Sequence, residues 1–337
     1  MSEDGNIVAI GAPFDFGSFQ NSGSVRVYNL IGNDWIQIGE IIKGETFAES
    51  SGSTLALSAD GKTLIVAAPN YNVTGVGSGI VRTYTQQNNQ WVKLGSDIKG
   101  QEKDMLGTSI DLSSNGLKLA IGASQSTSLN IGKGYVQIYE MINNEWIKLG
   151  QALIGEQVND HFGSAVSFNS SGDLLTIGAR SSDKFLKDAG QIDLYQLNNN
   201  EWIQIGTSIY GDHESEGIGS QLMISGDGST FIVGSQFNDD VGTNAGKVSV
   251  YNLKNLTSSK EVNNSRQIRA FPNPVNHLMT IEHTDYNEFV LLNSQGKKIE
   301  NLIITNGQIN FQNLSTGVYY LICKSAINYK TIQVVKI

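Results

Sequence analysis

Cysteine, proline and long hydrophobic runs are scarce or absent in this sequence of 337 residues. The single cysteine, Cys323, excludes an internal disulfide, and its alternation with Tyr319 and Leu321 indicates a small buried residue on a strand. No apolar run approaches the length of a membrane span, so we expect no transmembrane segment. The sequence has only four prolines but 37 glycines, and this composition indicates many tight turns rather than disorder.

Basic residues are also few, and the formal net charge is −9. Residues 1–268 carry 17 basic and 28 acidic side chains, whereas residues 269–337 carry six basic and four acidic ones. Nucleic-acid binding needs a basic surface that can neutralise phosphates. The acidic main part of the chain therefore argues against a nucleic-acid partner.

A repeat of 55 or 56 residues runs through residues 1–253. Three kinds of landmark keep this spacing, namely the tryptophans Trp35, Trp91, Trp146 and Trp202, the tyrosines Tyr28, Tyr84, Tyr139, Tyr195 and Tyr251, and the turn glycines Gly5, Gly61, Gly116, Gly172 and Gly228. Self-similarity at such a period indicates stacked structural units rather than one irregular domain.

Each repeat divides into four short strands. A strand opened by glycine leads through a turn such as Asp60-Gly61 into an apolar run such as Leu64–Ala68. A variable loop, an alternating strand, a polar turn and the tryptophan strand follow. Four antiparallel strands per unit are typical of a propeller blade. We therefore predict an all-β chain that begins with a β-propeller of about five four-stranded repeats.

The start of the chain does not coincide with the start of a repeat. Met1 aligns with Leu57, which lies near the end of the first strand of its repeat. No basic and apolar leader precedes the repeats either. We therefore expect an N-terminally truncated chain whose signal peptide lies upstream.

The motifs in these strands resemble the FG-GAP repeat of integrin-α-like propellers over roughly residues 1–253. Phe162-Gly163 and Gly178-Ala179-Arg180 carry the resemblance most fully, and Gly11-Ala12-Pro13 repeats part of it. The family often binds calcium in an acidic loop, which the resemblance would allow here. The corresponding turn, Ser58-Ala59-Asp60-Gly61, is too short and has too few carboxylates for a calcium ion. The loop pattern thus does not support calcium, and we expect no cofactor.

The composition changes after residue 253. Residues 254–269 read as a polar linker, and residues 270–337 contain alternating runs that predict a small Ig-like β-sandwich. This segment resembles the type A sorting domain of the type IX secretion system of Bacteroidetes. The residues that carry this sorting signal are Pro272, Asn273, Pro274, Gly296, Gly317, Tyr319, Lys330 and Lys336. The resemblance implies the secretion machinery as a partner and a secreted or outer-membrane surface location.

No catalytic or metal-binding motif was found, and we expect the protein not to be an enzyme. One set of acids does recur, three residues before each strand-opening glycine: Glu49, Asp104, Asp160 and Glu216. These carboxylates are either a cation-attracting ring or acceptors for backbone N–H groups in the turns between blades. Turn chemistry favours the second, structural interpretation.

The function predicted from these features is that of a secreted or cell-surface binding or adhesion protein. Its ligand, an unknown extracellular protein or glycan, would contact the variable loops, because rigid scaffolds carry binding residues on loops. The longest loops are Pro13–Gly23, Pro69–Gly79, Ser181–Gly190 and Gln236–Gly246. Two alternatives stay open at this point, a polysaccharide-directed extracellular enzyme and a structural spacer of a larger surface adhesin.

Overall fold

The computed structural model describes residues 1–125, 132–240, 242–253, 269–271, 273–282, 288–299, 304–305, 307–324 and 329–337. The chain divides into two compact units, Met1–Ser258 and Ser259–Ile337, which we call the repeat unit and the tail unit. The regular elements in the described ranges are all β-strands. The predicted linker, 254–269, lies outside the described residues except for Arg269, which begins a strand.

The repeat unit contains five antiparallel sheets in chain order. Sheet 1 contains β1 (Ile7–Ala12), β2 (Ser24–Ile31), β3 (Asp34–Gln37) and β4 (Ile42–Lys43). Sheet 2 contains β5 (Thr54–Leu57), β6 (Thr63–Ala68), β7 (Ile80–Gln87), β8 (Gln90–Lys93) and β9 (Ile98–Lys99). Sheet 3 contains β10 (Leu106–Leu112), β11 (Lys118–Ala123), β12 (Tyr135–Ile142), β13 (Glu145–Lys148) and β14 (Leu153–Ile154).

Sheets 4 and 5 repeat the same order of strands. Sheet 4 contains β15 (Phe162–Phe168), β16 (Leu174–Ala179), β17 (Gln191–Asn198), β18 (Glu201–Gln204) and β19 (Ile209–Tyr210). Sheet 5 contains β20 (Gln221–Ile224), β21 (Thr230–Ser235) and β22 (Lys247–Asn252). Sheets 2, 3 and 4 have the four predicted strands and also a two-residue strand that pairs with the third strand. Successive small antiparallel sheets of this kind make a β-propeller fold.

A separate hydrophobic core lies between each pair of successive sheets. Val25 and Val27 of sheet 1 pack with Leu64 and Val66 of sheet 2, and equivalent residues form the next three cores. Trp146 and Trp202 are buried in two of these cores, and Trp146 Nε1 donates to Thr83 Oγ1 of the preceding sheet over 2.7 Å. These two buried rings therefore pack sheet against sheet.

The two ends of the sheets are built differently. We call the end with the first hairpin turns, such as Asp60-Gly61, the turn end, and the opposite end, with the variable loops, the loop end. At the turn end, a chain of backbone hydrogen bonds crosses all five sheets, from Glu3 N–H to Ala59 O, Ala59 N–H to Ser114 O, Ser114 N–H to Ser170 O and Ser170 N–H to Gly226 O, at 2.9–3.1 Å. This ladder links the sheets at the ends of the first strands of the repeats, β5, β10, β15 and β20, which we call the inner strands.

The tail unit consists of two antiparallel sheets around one core. One sheet contains β23 (Arg269–Phe271), β24 (Leu278–Glu282), β27 (Gln308–Asn310) and β26 (Ile304–Thr305). The other contains β25 (Glu288–Asn293), β28 (Gly317–Lys324) and β29 (Tyr329–Lys336). Met279, Ile309 and Leu321 are fully buried between them, together with Cys323. The predicted strands are present, and the Ig-like topology stays a prediction.

Candidate functional site

The loop end is assembled from two kinds of segment in each repeat. The variable loop between the second and third strands lies beside the turn that leads into the next sheet. Backbone hydrogen bonds join the two segments, as from Ser51 N–H to Ser22 O at 2.8 Å and from Ile218 N–H to Ala189 O at 3.0 Å. The variable loops of sheets 1 and 4 are therefore anchored at their bases to the turns that lead into the next sheets.

Exposed aromatic side chains concentrate on these loops and turns. They are Phe14, Phe16, Phe19, Phe47, Phe185 and Phe237. Phe19 and Phe47 lie close together along the backbone, because Ala48 N–H donates to Gln20 O over 3.1 Å. Phe185 packs edge-to-face against Tyr210, with ring centroids 4.6 Å apart. Large exposed rings on anchored loops are typical of a surface that contacts a partner.

The four repeated acids lie beneath this surface and are all buried. Each carboxylate accepts a hydrogen bond from the backbone N–H three residues before it: Thr46 to Glu49, Gln101 to Asp104, Gln157 to Asp160 and His213 to Glu216, at 2.8–3.3 Å. The carboxylates thus close the turns that connect one sheet to the next. Their structural role remains a prediction, which the substitutions below test.

Three of these acids also have side-chain partners, and those partners differ from repeat to repeat. Glu49 accepts from Arg82, Asp104 accepts from the Tyr135 hydroxyl at 2.8 Å, and Glu216 accepts from Asn238 Nδ2 at 3.1 Å. Burial, and then the hydrogen bond to Asp104, raises the pKa of Tyr135. Burial also raises the pKa of Asp160. Because the carboxylates are engaged within the fold, the arrangement differs from an open ring of charges.

Arg82 is the centre of a charged cluster between sheets 1 and 2. Its side chain is 2% exposed, and its Nη1 lies 2.7 Å from Oε1 of the fully buried Glu49. Glu45 lies 3.3 Å from Nη2, and Asp97 lies 4.0 Å from Nε. The Tyr71 ring lies 5.8 Å from the guanidinium carbon, within the range of a cation–π contact. Nothing in the sequence distinguishes Arg82 from Arg26, which occupies the equivalent position of the preceding repeat.

Asp111 is a second residue that the sequence analysis missed. It lies on the inner strand β10, where the other repeats have Ala56, Ser167 and Met223. Its Oδ2 accepts the Phe168 N–H of the next inner strand over 2.6 Å, and its Oδ1 accepts its neighbour Leu112 N–H at 2.9 Å. Burial raises the pKa of Asp111 to about 6. The carboxylate therefore bridges sheets 3 and 4 and is the one place where an acid interrupts the inner-strand pattern.

The described part of the chain contains no group of three or more His, Cys, Asp or Glu side chains that could hold a metal ion.

An open depression at the turn end is lined by Glu3, Asp4, Ala59, Asp60, Ser114 and Asn115. The Asp4 and Asp60 carboxylates each accept a hydrogen bond from a serine of their own turn at 2.6 Å. In the part of the chain that the structure describes, no helix is long and apolar enough to cross a membrane.

Two parts of the predicted sorting signal meet in the tail unit. The Asn273 side chain donates to Gln333 O at 2.8 Å and accepts the Val335 N–H at 2.9 Å. Next to it, Val275 N–H donates to Val335 O, and Ile337 N–H donates to Val275 O. The segment after Pro272 therefore fastens the last strand, β29, although Pro272 itself lies outside the described residues.

The other predicted sorting residues occupy separate positions. Gly296 closes the turn after β25 with positive φ, and its N–H donates to Asn293 O at 2.9 Å. Gly317 begins β28, and the buried Tyr319 donates its hydroxyl to Ser315 O at 2.8 Å. Lys330 and Lys336 both belong to β29. Gly296 and Gly317 thus lie at turns and strand ends, and the two lysines lie on the outer strand of the sheet.

Several solved structures align with most of the chain but share little sequence with it. A periplasmic gluconolactonase from Pseudomonas aeruginosa has a TM-score of 0.47 and 13% identity, covering 98% of this chain and 96% of its own. A putative 6-phosphogluconolactonase from Bacteroides fragilis has a TM-score of 0.46 and 11% identity, covering 100% and 97%. The β-propeller domain of the trilobed protease from Pyrococcus furiosus has 0.40 and 11%, covering 93% and 87%.

No curated protein matches the chain in sequence. A family model does match the tail unit, over residues 269–337, and its description is the secretion system C-terminal sorting domain. The matched range begins at β23 and ends at the last residue, so it includes both sheets and the contact of Asn273 with β29. The chain therefore carries a C-terminal sorting domain, which indicates export by type IX secretion.

Proposed function

We propose that this protein is an exported binding protein whose propeller holds a ligand at the loop end. In this proposal the five sheets are five blades of the FG-GAP type, and the tail unit is the part that the secretion machinery recognises. The ligand is an extracellular protein or glycan. The host belongs to the Bacteroidetes, and the propeller is displayed on the outer membrane surface or released.

The observation that carries the proposal is the set of exposed phenylalanines at the loop end. Phe14 is 76% exposed and Phe16 is 72% exposed, although both lie on a loop whose base is anchored to the next turn. A phenylalanine side chain stabilises a protein by about 1.5–3 kcal/mol when it is fully buried, and these rings make no such contribution to the fold. Burial of the two rings against a ligand would contribute this stabilisation to the complex.

Binding rather than catalysis is supported by how the nearby acids are used. Glu49, Asp104 and Glu216 each hold a backbone N–H and a second side chain, so none of them is poised for proton transfer. A general acid or base needs a free site within hydrogen-bonding distance of its substrate. The Asp111 carboxylate on the inner strand likewise accepts hydrogen bonds from two backbone N–H groups.

The experiment is a binding screen of the full chain on arrays of surface glycans and extracellular proteins. The test variant is Phe14→Ala with Phe16→Ala, and the matched control is Ile147→Ala with Ile203→Ala, which are exposed on outer strands away from the loops. We expect the loop variant to lose at least tenfold in affinity, about 1.4 kcal/mol, while the control binds as the parent does. Equal binding by both variants would refute the loop-end site.

A further inference from the structure

The loop end carries most of the negative charge of the repeat unit. Its segments are the five variable loops, 13–23, 69–79, 124–134, 180–190 and 236–246, and the four turns between sheets, 44–53, 100–105, 155–161 and 211–220. The described residues of these segments include 14 acidic and five basic side chains, whereas the rest of residues 1–268 has 14 acidic and 12 basic ones. Four of the 14 acids are the buried turn acids, so ten carboxylates at this end are at least partly exposed.

Apolar side chains are exposed on the same segments. In the interior of the repeat unit they are Phe47, Val76, Val158 and Phe185, with exposed fractions between 46% and 67%. Phe47 and Val158 lie on turns that join two sheets, and the other two lie on loops of sheets 2 and 4, each of which packs on a sheet at both sides. Their exposure is therefore a property of the loop end itself, where no neighbouring repeat covers them.

The two features meet around Phe185. Its ring packs against Tyr210, which directly precedes the turn 211–220. Ser215 N–H of that turn donates to Lys187 O over 2.7 Å, so the turn is held beside the loop that carries Phe185. An apolar ring and an acidic turn thus form one continuous surface.

Asp212 and Glu214 supply the charge of that turn. Both are exposed, and neither forms an ion pair with any residue that the structure describes. The lysines of the adjoining loops already have acidic partners, in the pairs Lys184–Glu156 and Lys247–Asp240. The two carboxylates are therefore available to cationic groups of a ligand, and their attraction grows as water is excluded from the contact.

From these observations we propose that the ligand at the loop end is a protein segment that combines lysine or arginine with apolar side chains. This inference rests on the proposed function and narrows its ligand from a protein or glycan to a basic protein. The basic groups pair with the exposed carboxylates, while the apolar side chains cover Phe185 and the other exposed residues of the loop end. A neutral or acidic glycan offers no cation, and it would leave carboxylates desolvated without compensation.

The experiment probes the full chain on an array of short peptides of varied composition, together with neutral and acidic oligosaccharides. We expect the bound peptides to be enriched both in lysine or arginine and in aromatic or aliphatic residues. Acidic peptides and the oligosaccharides should not bind. Binding should weaken about tenfold between about 0.1 M and 1 M salt, because the Debye length falls from about 10 Å to about 3 Å.

Matched variants locate the contact. Asp212→Asn with Glu214→Gln should weaken peptide binding about tenfold, and Phe185→Ala should do the same. The control is Asp34→Asn with Glu201→Gln, which removes the same two types of charge from exposed positions on the outer strands β3 and β18. This control should bind as the parent does.

The outcomes separate this inference from the proposed function. Binding to oligosaccharides and not to peptides, lost in the variant Phe14→Ala with Phe16→Ala, would overturn the basic ligand and leave the loop-end site intact. Peptide binding that salt does not weaken, or that the control variant also loses, would overturn the inference too. Binding to neither class would count against both proposals.

Discussion

Arg82 Nη1 donates a hydrogen bond to Glu49 Oε1 over 2.7 Å, and both side chains are almost fully shielded from solvent. Glu49 belongs to the turn that leads into sheet 2, and Arg82 belongs to the third strand of that sheet. The pair therefore links the turn that leads into sheet 2 to the third strand of that sheet. Removal of Glu49 leaves the buried Arg82 with only Glu45 and Asp97, at 3.3 Å and 4.0 Å, and removal of Arg82 leaves the Glu49 charge buried without a cation. Either penalty is larger than the net value of the pair.

We predict that Glu49→Ala destabilises the protein by about 3–5 kcal/mol. The matched control is Glu216→Ala, since Glu216 holds an equivalent backbone N–H but faces a neutral amide, and its loss should cost about 1–3 kcal/mol. Urea unfolding, followed by tryptophan fluorescence, measures both. The double variant Glu49→Ala with Arg82→Met should recover part of the loss. Equal losses for the two single variants would contradict a special role of Arg82.

A second prediction concerns calcium. The repeated acids are engaged by backbone N–H groups, and in three repeats by side chains as well, so no set of free oxygens is available for six to eight contacts. We expect the melting temperature to be the same with calcium and with a chelator. A calcium-dependent rise that Asp104→Asn abolishes would show that the acids are ligands and not turn residues.

The repeat and the sheets could be predicted from the sequence because the landmarks are local and periodic. Glycine turns, apolar second strands and tryptophans recur every 55 or 56 residues, and each fixes a position in its own sheet. The short strands such as β4 were not predicted, since two residues carry no periodic signal. They form because a partner, β2, is already in place.

The chemistry of single positions could not be predicted in the same way. Arg26 and Arg82 occupy equivalent positions, yet Arg26 pairs with the half-exposed Asp15 whereas Arg82 pairs with a buried glutamate. Glu49 belongs to the turn that leads into the sheet of Arg82, whereas Asp15 belongs to the loop between β1 and β2, within the sheet of Arg26. Asp111 was missed for a similar reason, because its partner is an N–H 57 residues away on the neighbouring inner strand.

Asp111 should make stability depend on pH. Burial raises its pKa to about 6, so the folded protein binds this proton more tightly than the unfolded chain does. Its contribution is therefore fully favourable below about pH 4 and is lost as the pH rises through about 6. We predict that the parent loses about 1–3 kcal/mol relative to Asp111→Asn between pH 4 and pH 8, as measured by urea unfolding.

Asp227 supplies a control of opposite sign for that experiment. Hydrogen bonds from Ser225, and then from Ser229, lower its pKa to about 2. Its stabilising contribution is present above about pH 4 and is lost as the pH falls through about 2. The parent should therefore gain stability relative to Asp227→Asn as the pH rises from 2 to 5. The same trend in both variants would show that neither carboxyl group is responsible.

The loop phenylalanines should be dispensable for folding. Phe14→Ala and Phe185→Ala remove rings that are mostly exposed, and surface changes of this kind usually alter stability by no more than about 0.5 kcal/mol. By contrast, Phe231→Ala removes a buried ring from the core between sheets 4 and 5 and should cost about 3–5 kcal/mol. Thermal unfolding separates the two classes. A large loss from Phe14→Ala would place that ring in the fold and not in a binding surface.

The last prediction concerns the sorting domain at the C-terminus. Residues 254–337, fused behind a signal peptide and a fluorescent protein, should carry that protein to the surface or the medium of a host with type IX secretion. β29 is the outer strand of its sheet, paired with β28 and fastened by Asn273. Deletion of residues 330–337 removes most of this strand, exposes the edge of β28 and uncovers the core, so the fusion should stay in the periplasm.

Two point variants make the export experiment sharper. Asn273→Ala removes both side-chain hydrogen bonds to β29 while the core stays intact, and we expect partial loss of export. Gln312→Ala is the matched control, because Gln312 is an exposed polar residue of the same unit that lies away from β29 in the sequence, and it should be exported fully. Fluorescence in the medium, on the surface and in the periplasm gives the result. Equal export of the full tail and the deletion would show that recognition does not require the last strand, and failure of every fusion would exclude the sorting role of the tail.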